Sequence, residues 1–280
     1  MIRVVVLAAI PQESRPLLTL LGTSRKLVGQ PLPTWLQRSS HVELLVMESG
    51  MGAERAWRAA QYALSGSSID LLVSIGFAGS LSPGFRLGQV VWSRELTAYD
   101  EDAGALSSVG FRPGSTLGLT TFCQTHHVQP ARFLTVDRPR SKAGMAGRFA
   151  AVPTVVEMES TSVAAAGHGG HVPFLGLRAI TDESTQDIDW ELDFVMDRAG
   201  RLSAPKVMRA VLRKPSLLRP MLRLRSSSRV AGRNLAAKLI ALLQLPEEDL
   251  LALAEQLRLQ PLPGGRGREQ SGAKVPAEHA

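Results

Sequence analysis

Cysteine is nearly absent from this sequence, with Cys123 as its single example among 280 residues. One cysteine cannot form an internal disulfide framework or the paired-cysteine motifs of zinc and redox sites. This scarcity is typical of proteins that work in a reducing compartment. We therefore expect a cytoplasmic protein that depends on an apolar core, which the 44% of hydrophobic residues can supply.

Long hydrophobic runs are also missing. No stretch approaches the ~18 unbroken apolar residues that a membrane-spanning helix needs. The run after Arg3 is short and rich in valine, and it leads into Pro11, Gln12 and Glu13 rather than into a small-residue cleavage site. It indicates a buried β-strand rather than a secretory signal. We expect a chain that does not cross a membrane.

Acidic residues are missing between Arg198 and Lys238, a segment that contains twelve of the 32 lysines and arginines. The formal net charge of +7 therefore arises in this segment, because the rest of the chain has more acidic than basic residues. Nucleic-acid binding usually adds aromatic side chains for base stacking or a recognisable module. Neither accompanies these basic residues, so we expect no nucleic-acid partner.

Short apolar runs alternate with helical patterns through the first two thirds of the chain. The runs predict strands at Ile2–Ala9, Val42–Glu48, Asp70–Gly76, Gly88–Ser93, Arg132–Asp137, Thr154–Glu157 and Pro173–Ile180. Helices are predicted at Gln12–Leu21, Gly52–Leu64 and Glu159–Gly167. Several strands are continuous in Val, Ile and Leu, which is typical of strands covered on both faces. We therefore predict an α/β domain over residues 1–200, with a single doubly wound, largely parallel mixed sheet and helices on both faces.

The composition changes near residue 200, and residues 201–260 predict a basic, amphipathic helical extension. Apolar residues recur there at helical spacing in Lys206–Leu224, Ser228–Leu243 and Glu247–Leu257. Such helices can lie on an anionic membrane through residues 201–245, or can pack on the domain or on another subunit. Residues 261–280 are polar and rich in Gly and Pro, and we expect them to be disordered.

Two glycine-containing turns follow predicted strands. The first contains Ser49, Gly50 and Gly52, and the second contains Phe77, Ala78 and Gly79. Glycine permits positive φ and lets the backbone approach a ligand, and free amides at such turns can bind an anion. Neither segment has the spacing of a Walker loop or of a GxGxxG motif, and isolated glycine turns of this kind are more often structural.

Carboxylates lie at or just beyond the ends of three predicted strands. Glu13 falls in the first turn of the first helix, Glu157 and Glu159 lie at the sixth strand's end, and Asp182 follows the seventh strand. Parallel strands of α/β proteins bind ligands beyond their carboxyl ends. Burying a charge without a partner is strongly unfavourable, so these acids predict a shared ligand site. A helix-dipole role for Glu13 and a structural ion pair of Arg178 are the alternatives.

The motifs occur in a fixed order: a strand-end glutamate, SGMG, SIGFAGSL followed by LGQVV, VEMES and RAITDES. This set resembles the superfamily of purine nucleoside phosphorylases and nucleosidases, which includes methylthioadenosine/S-adenosylhomocysteine nucleosidases and futalosine hydrolase. The resemblance spans roughly residues 1–190. It implies an enzyme that cleaves the N-glycosidic bond of a purine nucleoside, and we also expect a homo-oligomer. A nucleoside-binding protein that has lost catalysis is the alternative.

The resemblance assigns a role to each matching residue. Glu159 resembles the carboxylate that accepts hydrogen bonds from the ribose hydroxyls. Asp182 resembles the residue that protonates N7 of the departing purine, and Glu13 resembles the carboxylate that orients the attacking water. The residues expected to line the base and ribose are Phe77, Ala78, Gly79, Glu157 and Met158. The residues expected on the water or phosphate side are Ser49, Gly50 and Gly52.

The chemistry explains why acids are needed at these positions. Cleavage of an N-glycosidic bond places positive charge on the ribose and negative charge on the base, and a nearby carboxylate and a proton donor stabilise them. To donate a proton near neutral pH, Asp182 needs a raised pKa, from burial or from a neighbouring negative charge. Water or inorganic phosphate could attack. We expect no other cofactor and no metal, because His126 and His127 have no carboxylate at ligand spacing.

Two segments bear on the substrate. Thr135–Lys142 lacks the aromatic residue that nucleosidases place over the purine, and its Arg138, Arg140 or Lys142 could meet a phosphate or only water. DRAGR and RKPSLLRPMLRL resemble the hopanoid-associated branch of the superfamily, which is linked to release of adenine from adenosylhopane. This resemblance implies a lipid-linked, adenine-type nucleoside. A methylthioadenosine, S-adenosylhomocysteine or futalosine nucleosidase is the alternative.

Overall fold

The computed structural model describes residues 1–66, 68–100, 105–138, 142, 145, 149, 151–184 and 218–262. Within these ranges, the side chains of residues 100, 105, 108, 109 and 218–225 are not described. Residues 206–217 of the helix predicted at Lys206–Leu224 lie outside the described residues, as do residues 263–280 of the tail predicted to be disordered from residue 261. At the start of that tail, Pro261 instead ends a three-residue strand.

Eleven strands of the described residues form one mixed sheet. Their bounds are β1 Ile2–Ala8, β2 Arg25–Leu27, β3 Thr34–Arg38, β4 Val42–Glu48, β5 Leu71–Ser80, β6 Val90–Asp100, β7 Ala105–Pro113, β8 Gln129–Thr135, β9 Thr154–Glu157, β10 Phe174–Asp182 and β11 Leu259–Pro261. The order is β11-β7-β6-β8-β9-β5-β1-β4-β3-β2, and β10 pairs with β5 and β6. Because β1, β4, β5 and β10 are mutually parallel, their carboxyl ends lie at one edge.

The helices with described bounds are α1 Pro11–Leu21, α2 Ala53–Gly66, α3 Leu117–His126, α4 Ser160–Gly169, α5 Leu218–Leu243 and α6 Glu247–Gln256. Alternate residues of β1 point to opposite faces of the sheet. Val4 and Val6 belong to a core cluster shared with α1, α3, α5 and α6, whereas Val5 and Leu7 belong to one shared with α2 and α4. Burial on both faces explains the continuous apolar sequence of β1. The predicted α/β class is confirmed.

The sequence patterns do not predict β2, β3, β7, β11 or α3. Strands β2 and β11 have three residues each, too few to show a period. They form through antiparallel pairing with β3 and β7 respectively. Helix α3 contains three Thr residues and one Gly within LGLTTFCQTH and gains its stability by burying Leu119 and Phe122. Tertiary contacts, rather than local propensity, decide these elements.

Strand β5 extends further than its sequence pattern indicates. Instead of ending at Gly76 in a turn before a helix, it continues through Ser80, and the next element is β6. The reason is pairing on both sides: β10 pairs with β5 as far as Gly79, and β9 pairs with Gly79 and Ser80. Phe77, Ala78 and Gly79 are therefore strand residues.

Helix α5 packs on the domain, against α1 and β10. Ala231, Leu235 and Leu239 are fully buried and belong to the same core cluster as β1. At Gly232, an added Cβ would come 2.9 Å from Cγ of Pro16 in α1. The apolar face of residues 228–243 is thus covered by protein and is not free to lie on a bilayer.

The rest of the described extension also joins the domain. Leu250 of α6 is buried in the same core cluster as β1, and β11 adds a strand to the sheet next to β7. Residues 218–262 therefore share the core and the sheet of the preceding domain. No helix in the described part of the chain has the length and hydropathy to cross a membrane.

Candidate active site

The carboxyl ends of β1, β5 and β10 assemble the predicted site residues. Strand β10 pairs with β5 so that Arg178 lies beside Gly76, and Asp182 lies beside Gly79. Strand β1 lies on the other side of β5 and leads into α1, which carries Glu13. Charged groups that are distant in sequence therefore meet at one edge of the sheet.

Glu13 is held by three backbone amides. Its Oε2 accepts hydrogen bonds from the N–H groups of Ala9 at 2.8 Å and Ile10 at 3.1 Å, and its Oε1 accepts one from Phe77 at 3.0 Å. Burial raises the pKa of Glu13, and Arg178 and these amides offset only part of the effect. A fixed carboxylate with a raised pKa suits a general base that works near neutral pH.

Gly76 leaves room for two opposite charges. A Cβ at this position would come 2.9 Å from Oε1 of Glu13 and 3.3 Å from Cζ of Arg178. The missing side chain lets the carboxylate and the guanidinium group approach the same point of β5. This glycine is needed for space, since it lies inside a strand and not in a turn.

Arg178 and Glu157 form a buried ion pair. Nη2 of Arg178 lies 2.7 Å from Oε2 of Glu157, and the two side chains are 1% and 0% exposed. Glu157 also accepts hydrogen bonds from Oγ1 of Thr135 and from the N–H groups of Glu159 and Ser160. Burial alone would raise the pKa of Glu157, but Arg178 and these donors outweigh it and hold the pKa below its usual range.

All of these partners of Glu157 are groups of the protein itself. The Glu157 side chain is 0% exposed and ion-paired with Arg178, so this geometry does not support the substrate-binding role expected from the sequence. The structural ion pair, which the sequence left open as an alternative for Arg178, is present. Glu157 instead ties Arg178 to the start of α4.

Glu159 meets the loop after β4. Its Oε1 accepts a hydrogen bond from the N–H of Gly52 at 2.9 Å. Burial raises the pKa of Glu159 to about 8, and the negative charges of Glu157 and Glu13 act in the same direction. Arg178 and the Gly52 amide offset this only in part. Three carboxylates and one guanidinium group therefore share a single electrostatic environment.

A small cavity lies against Glu159 and Arg178. Ser49 and Ser74 also line it, and it has room for about one water molecule. Nε of Arg178 is a buried donor that has no hydrogen-bond partner among the described residues. Buried donors of this kind normally bind a water or a ligand, so the cavity is suited to a single small polar molecule.

The loop that contains Ser49, Gly50 and Gly52 is closed by its own hydrogen bonds. Gly50 and Gly52 have φ angles of 81° and 100°, which glycine adopts readily. The N–H groups of Ser49 and Gly50 donate to backbone carbonyls at the end of β1, and the N–H of Gly52 donates to Glu159. These three amides are therefore not available to an anion.

Asp182 forms an ion pair with Lys142. Nζ of Lys142 contacts Oδ2 of Asp182, and Oγ1 of Thr181 donates a hydrogen bond to Oδ1 at 2.8 Å. From the sequence, we expected Asp182 to be buried or to lie next to a negatively charged group. The carboxylate is indeed 6% exposed, but its charged neighbour is positive. Lys142 contacts a carboxylate, whereas the sequence suggested a phosphate or water as its partner.

The remaining predicted lining residues lie at different depths. A Cβ at Gly79 would come 2.6 Å from Oδ2 of Asp182, so Gly79 adjoins the acid. Ala78 is buried in the core cluster of α2 and α4, and the ring of Phe77 packs toward α5. Met158 packs on a separate cluster that contains Leu81, Leu134, Val136, Met145 and Phe149. Arg138 is exposed, and Arg140 lies outside the described residues.

Two cations of this site were not assigned to it from the sequence. Arg178 interrupts the apolar run of β10, and a charged residue inside a buried strand is a usable signal for a partnered site. Lys142 offers no such signal, because its contact with Asp182 joins segments that only the fold brings together. The acids were predicted as site residues, the ion pair of Arg178 was predicted only as an alternative, and the contact of Lys142 with Asp182 was not predicted.

The chain belongs to the phosphorylase superfamily, whose family model matches residues 3–213. This confirms the resemblance seen in the motifs. A relative in sequence is the aminodeoxyfutalosine nucleosidase of Campylobacter jejuni, which is 22% identical over 224 residues that cover 75% of this chain and 98% of the relative.

Solved structures share the fold. A 5′-methylthioadenosine/S-adenosylhomocysteine nucleosidase from Neisseria meningitidis has a TM-score of 0.63 and 18% identity, covering 90% of this chain and 99% of that one. Futalosine hydrolase from Helicobacter pylori also has a TM-score of 0.63, with 16% identity, covering 86% and 96% of the two chains. At these identities the likeness concerns the fold.

Proposed function

We propose that this protein is a purine nucleosidase, which uses water to release the base of an adenine-type nucleoside. Membership of the phosphorylase superfamily supports an enzyme of purine nucleosides. The hydrolytic assignment rests on the small cavity beside Arg178 and Glu159. It lies near the carboxyl end of β5, where Oε1 of Glu13 lies next to Gly76.

Each acid has a part in the proposed reaction. Glu13 takes a proton from the attacking water, for which its raised pKa is suited. Glu159 accepts hydrogen bonds from the ribose hydroxyls while positive charge develops on the sugar. Asp182 lies three residues further along the β5 edge than Arg178, where it stabilises the departing base. The Arg178–Glu157 pair holds the strand ends at which these groups meet.

Three features favour water over phosphate as the nucleophile. The cavity has room for about one water molecule. The amides of Ser49, Gly50 and Gly52 are already bonded within the protein. Arg178 is already paired with Glu157, so its charge is not free to neutralise a phosphate dianion.

The nucleophile is tested by measuring free adenine from 5′-methylthioadenosine in phosphate-free buffer and in phosphate. We expect equal release, with the heavy isotope in the sugar product when ¹⁸O-labelled water is used. Glu13→Gln should lower turnover about 100-fold or more, whereas the exposed Glu54→Gln should not. Release that requires phosphate and yields a ribose 1-phosphate would contradict hydrolysis.

The substrate is proposed from two sources. The names of the similar proteins suggest aminodeoxyfutalosine, 5′-methylthioadenosine or S-adenosylhomocysteine. The motifs DRAGR and RKPSLLRPMLRL suggest a lipid-linked adenine nucleoside such as adenosylhopane. Turnover of all four, with inosine as a comparison, ranks these proposals by kcat/KM. Binding of a nucleoside without release of its base would favour the catalytically silent alternative.

A lipid-linked substrate would require contact with a membrane. We propose a cytoplasmic protein that makes this contact through residues 201–217, because the apolar face of residues 228–243 is buried. Flotation with anionic vesicles at low salt tests this. Replacing Arg209, Arg213 and Lys214 by alanine should reduce flotation, and a wild-type protein that does not float would end the membrane proposal.

A further inference from the structure

Lys142 is a buried lysine at the base end of the candidate site. The residue is 5% exposed, and a lysine this deeply buried normally requires a charged partner. Its Nζ contacts Oδ2 of Asp182 and also donates to the backbone carbonyls of Asp182 at 3.2 Å and Glu183 at 3.0 Å. Among the described residues, this ammonium group thus meets three acceptors at the end of β10.

Gly79 of the sheet leaves the space that the side chain of Lys142 occupies. A Cβ at Gly79 would come 2.8 Å from Cε of Lys142 and 2.6 Å from Oδ2 of Asp182. Glycine at this point of β5 therefore leaves space for both side chains. The lysine stem and the carboxylate share a slot against the strand that runs through the site.

The contacts of Asp182 limit the proton transfers that its carboxylate can make without a partner. Oδ2 faces an ammonium group, and Oδ1 accepts a hydrogen bond from Oγ1 of Thr181. A carboxylate that accepts hydrogen bonds at both oxygens has no O–H directed at a substrate. The nearest transferable proton in this arrangement is on Nζ of Lys142.

We propose that Lys142 acts through Asp182 as a positioning residue that also supplies the proton for the departing purine. The inference rests on the proposed function. When the bond between C1′ and N9 breaks, its electron pair goes to the purine. A proton passes from Lys142 to Oδ2 of Asp182 as Asp182 protonates N7. Asp182 ends ionised as it began, and Lys142 ends as a neutral amine.

The protons balance over the full cycle. The water that attacks C1′ gives one proton to Glu13, and Lys142 gives one proton to the base. After product release, Glu13 loses its proton to solvent and Lys142 regains one. The products are the free purine and the free sugar, with no external oxidant, reductant or co-reactant besides water.

A double-mutant cycle tests whether Lys142 acts through Asp182. Lys142→Met should lower kcat on the best substrate about 100-fold, with KM changed less than about threefold. In the Asp182→Asn background, the same substitution should cost less than about threefold. Equal losses in both backgrounds would overturn the proposal. Lys26→Met, at an exposed lysine of β2, is the control and should leave kcat unchanged.

A second measurement separates proton supply from structure. The leaving group of 4-nitrophenyl β-D-ribofuranoside departs as an anion without a proton, so Lys142→Met should lose about tenfold less on it than on the purine nucleoside. An equal loss on both substrates means a structural role and rejects the proposal. Should Lys142→Met fail to fold, Lys142→Gln keeps a hydrogen-bond donor for Asp182 and is measured in its place.

The two proposals fail in different ways. A wild-type protein that releases no base from any nucleoside refutes the proposed function before a variant is made. A wild-type protein that is active, with Lys142 and Asp182 contributing independently, refutes only the role of Lys142.

Discussion

The backbone N–H of Gly52 donates a hydrogen bond to the carboxylate of Glu159, which lies 107 residues further along the chain. This bond joins the loop after β4 to the start of α4. It is one of few stabilising contacts for an acid that faces two other carboxylates, Glu157 and Glu13. The raised pKa of Glu159 is therefore a property of the assembled site and vanishes on unfolding.

The pH dependence of stability should report this raised pKa. Between the usual value of 4.5 and about 8, folded Glu159 holds a proton that the unfolded chain has released. Stability therefore falls as the pH rises through this range. Glu159→Gln should make the decline of Tm shallower and raise Tm at pH 8, while some decline should persist because the pKa of Glu13 is also raised.

Thermal unfolding from pH 5 to pH 9 measures this effect. Glu54→Gln is the matched control, since Glu54 is 75% exposed on α2, and its curve should follow the wild type. Parallel curves for Glu159→Gln and the wild type would show that Glu159 titrates normally.

Asp182→Asn should reduce both turnover and stability, the latter because Lys142 stays buried without its counter-charge. The amide keeps the shape of the carboxylate but removes its charge and its capacity to pass a proton, which we expect to lower kcat by about 10²- to 10⁴-fold. Steady-state kinetics and urea unfolding on the same preparation separate the two effects. Unchanged turnover would remove Asp182 from the mechanism.

Gly76→Ala should disturb the water side of the site without unfolding the protein. The new Cβ would lie 2.9 Å from Oε1 of Glu13, so the carboxylate must move and lose the hydrogen bond from Phe77. A displacement of this kind can cost up to about 100-fold in kcat. Gly169→Ala, where nothing lies within 4 Å of the added Cβ, is the control. Equal kcat for both variants would contradict the packing at Gly76.

Arg178→Met should destabilise the fold strongly. It leaves Glu157 buried without its counter-charge, a change that typically costs about 3–5 kcal/mol. Arg58→Met is the comparison, since it breaks an ion pair whose side chains are 72% and 75% exposed and should cost about 1 kcal/mol or less. Urea unfolding measures both. A loss below about 1 kcal/mol at Arg178 would show that Glu157 finds another partner.

Gly232→Ala should reverse the usual effect of this substitution in a helix. Alanine normally stabilises a helix interior by about 0.5–1 kcal/mol relative to glycine. Here the Cβ would come 2.9 Å from Cγ of Pro16 and 3.1 Å from the carbonyl oxygen of Gln12, and such overpacking costs about 1–3 kcal/mol. Gly66→Ala in α2 has open space and should not destabilise. If Gly232→Ala raises the free energy of unfolding, α5 is not packed closely against α1.

The sequence predicts the sheet well wherever strands are buried on both faces. Continuous runs such as Ile2–Ala8 carry a strong signal because solvent imposes no alternation on them. The end of β5 is predicted wrongly, since SIGFAG resembles a turn and only pairing with β9 and β10 keeps it extended. The three-residue strands are too short to show a pattern.

The site is predicted unevenly for a related reason. Glu13, Glu159 and Asp182 follow strand ends, so their approximate meeting place can be deduced from topology alone. The partners of each acid depend on ångström-scale packing, as with Glu157, which proves to be bound to Arg178 and Thr135. A sequence pattern indicates which residue types gather at an edge, but not which of them neutralise one another.

Two paired strands of one sheet, β5 and β10, fix part of the charge pattern of the site. Arg178 and Asp182 are both carried by β10, and Gly76 and Gly79 face them from β5. Lys142 comes from the chain segment between β8 and β9 and lies outside these two strands. Exchanging this segment between homologues should therefore alter which leaving group is accepted while the ribose chemistry is inherited unchanged, a practical route to redesigning the enzyme.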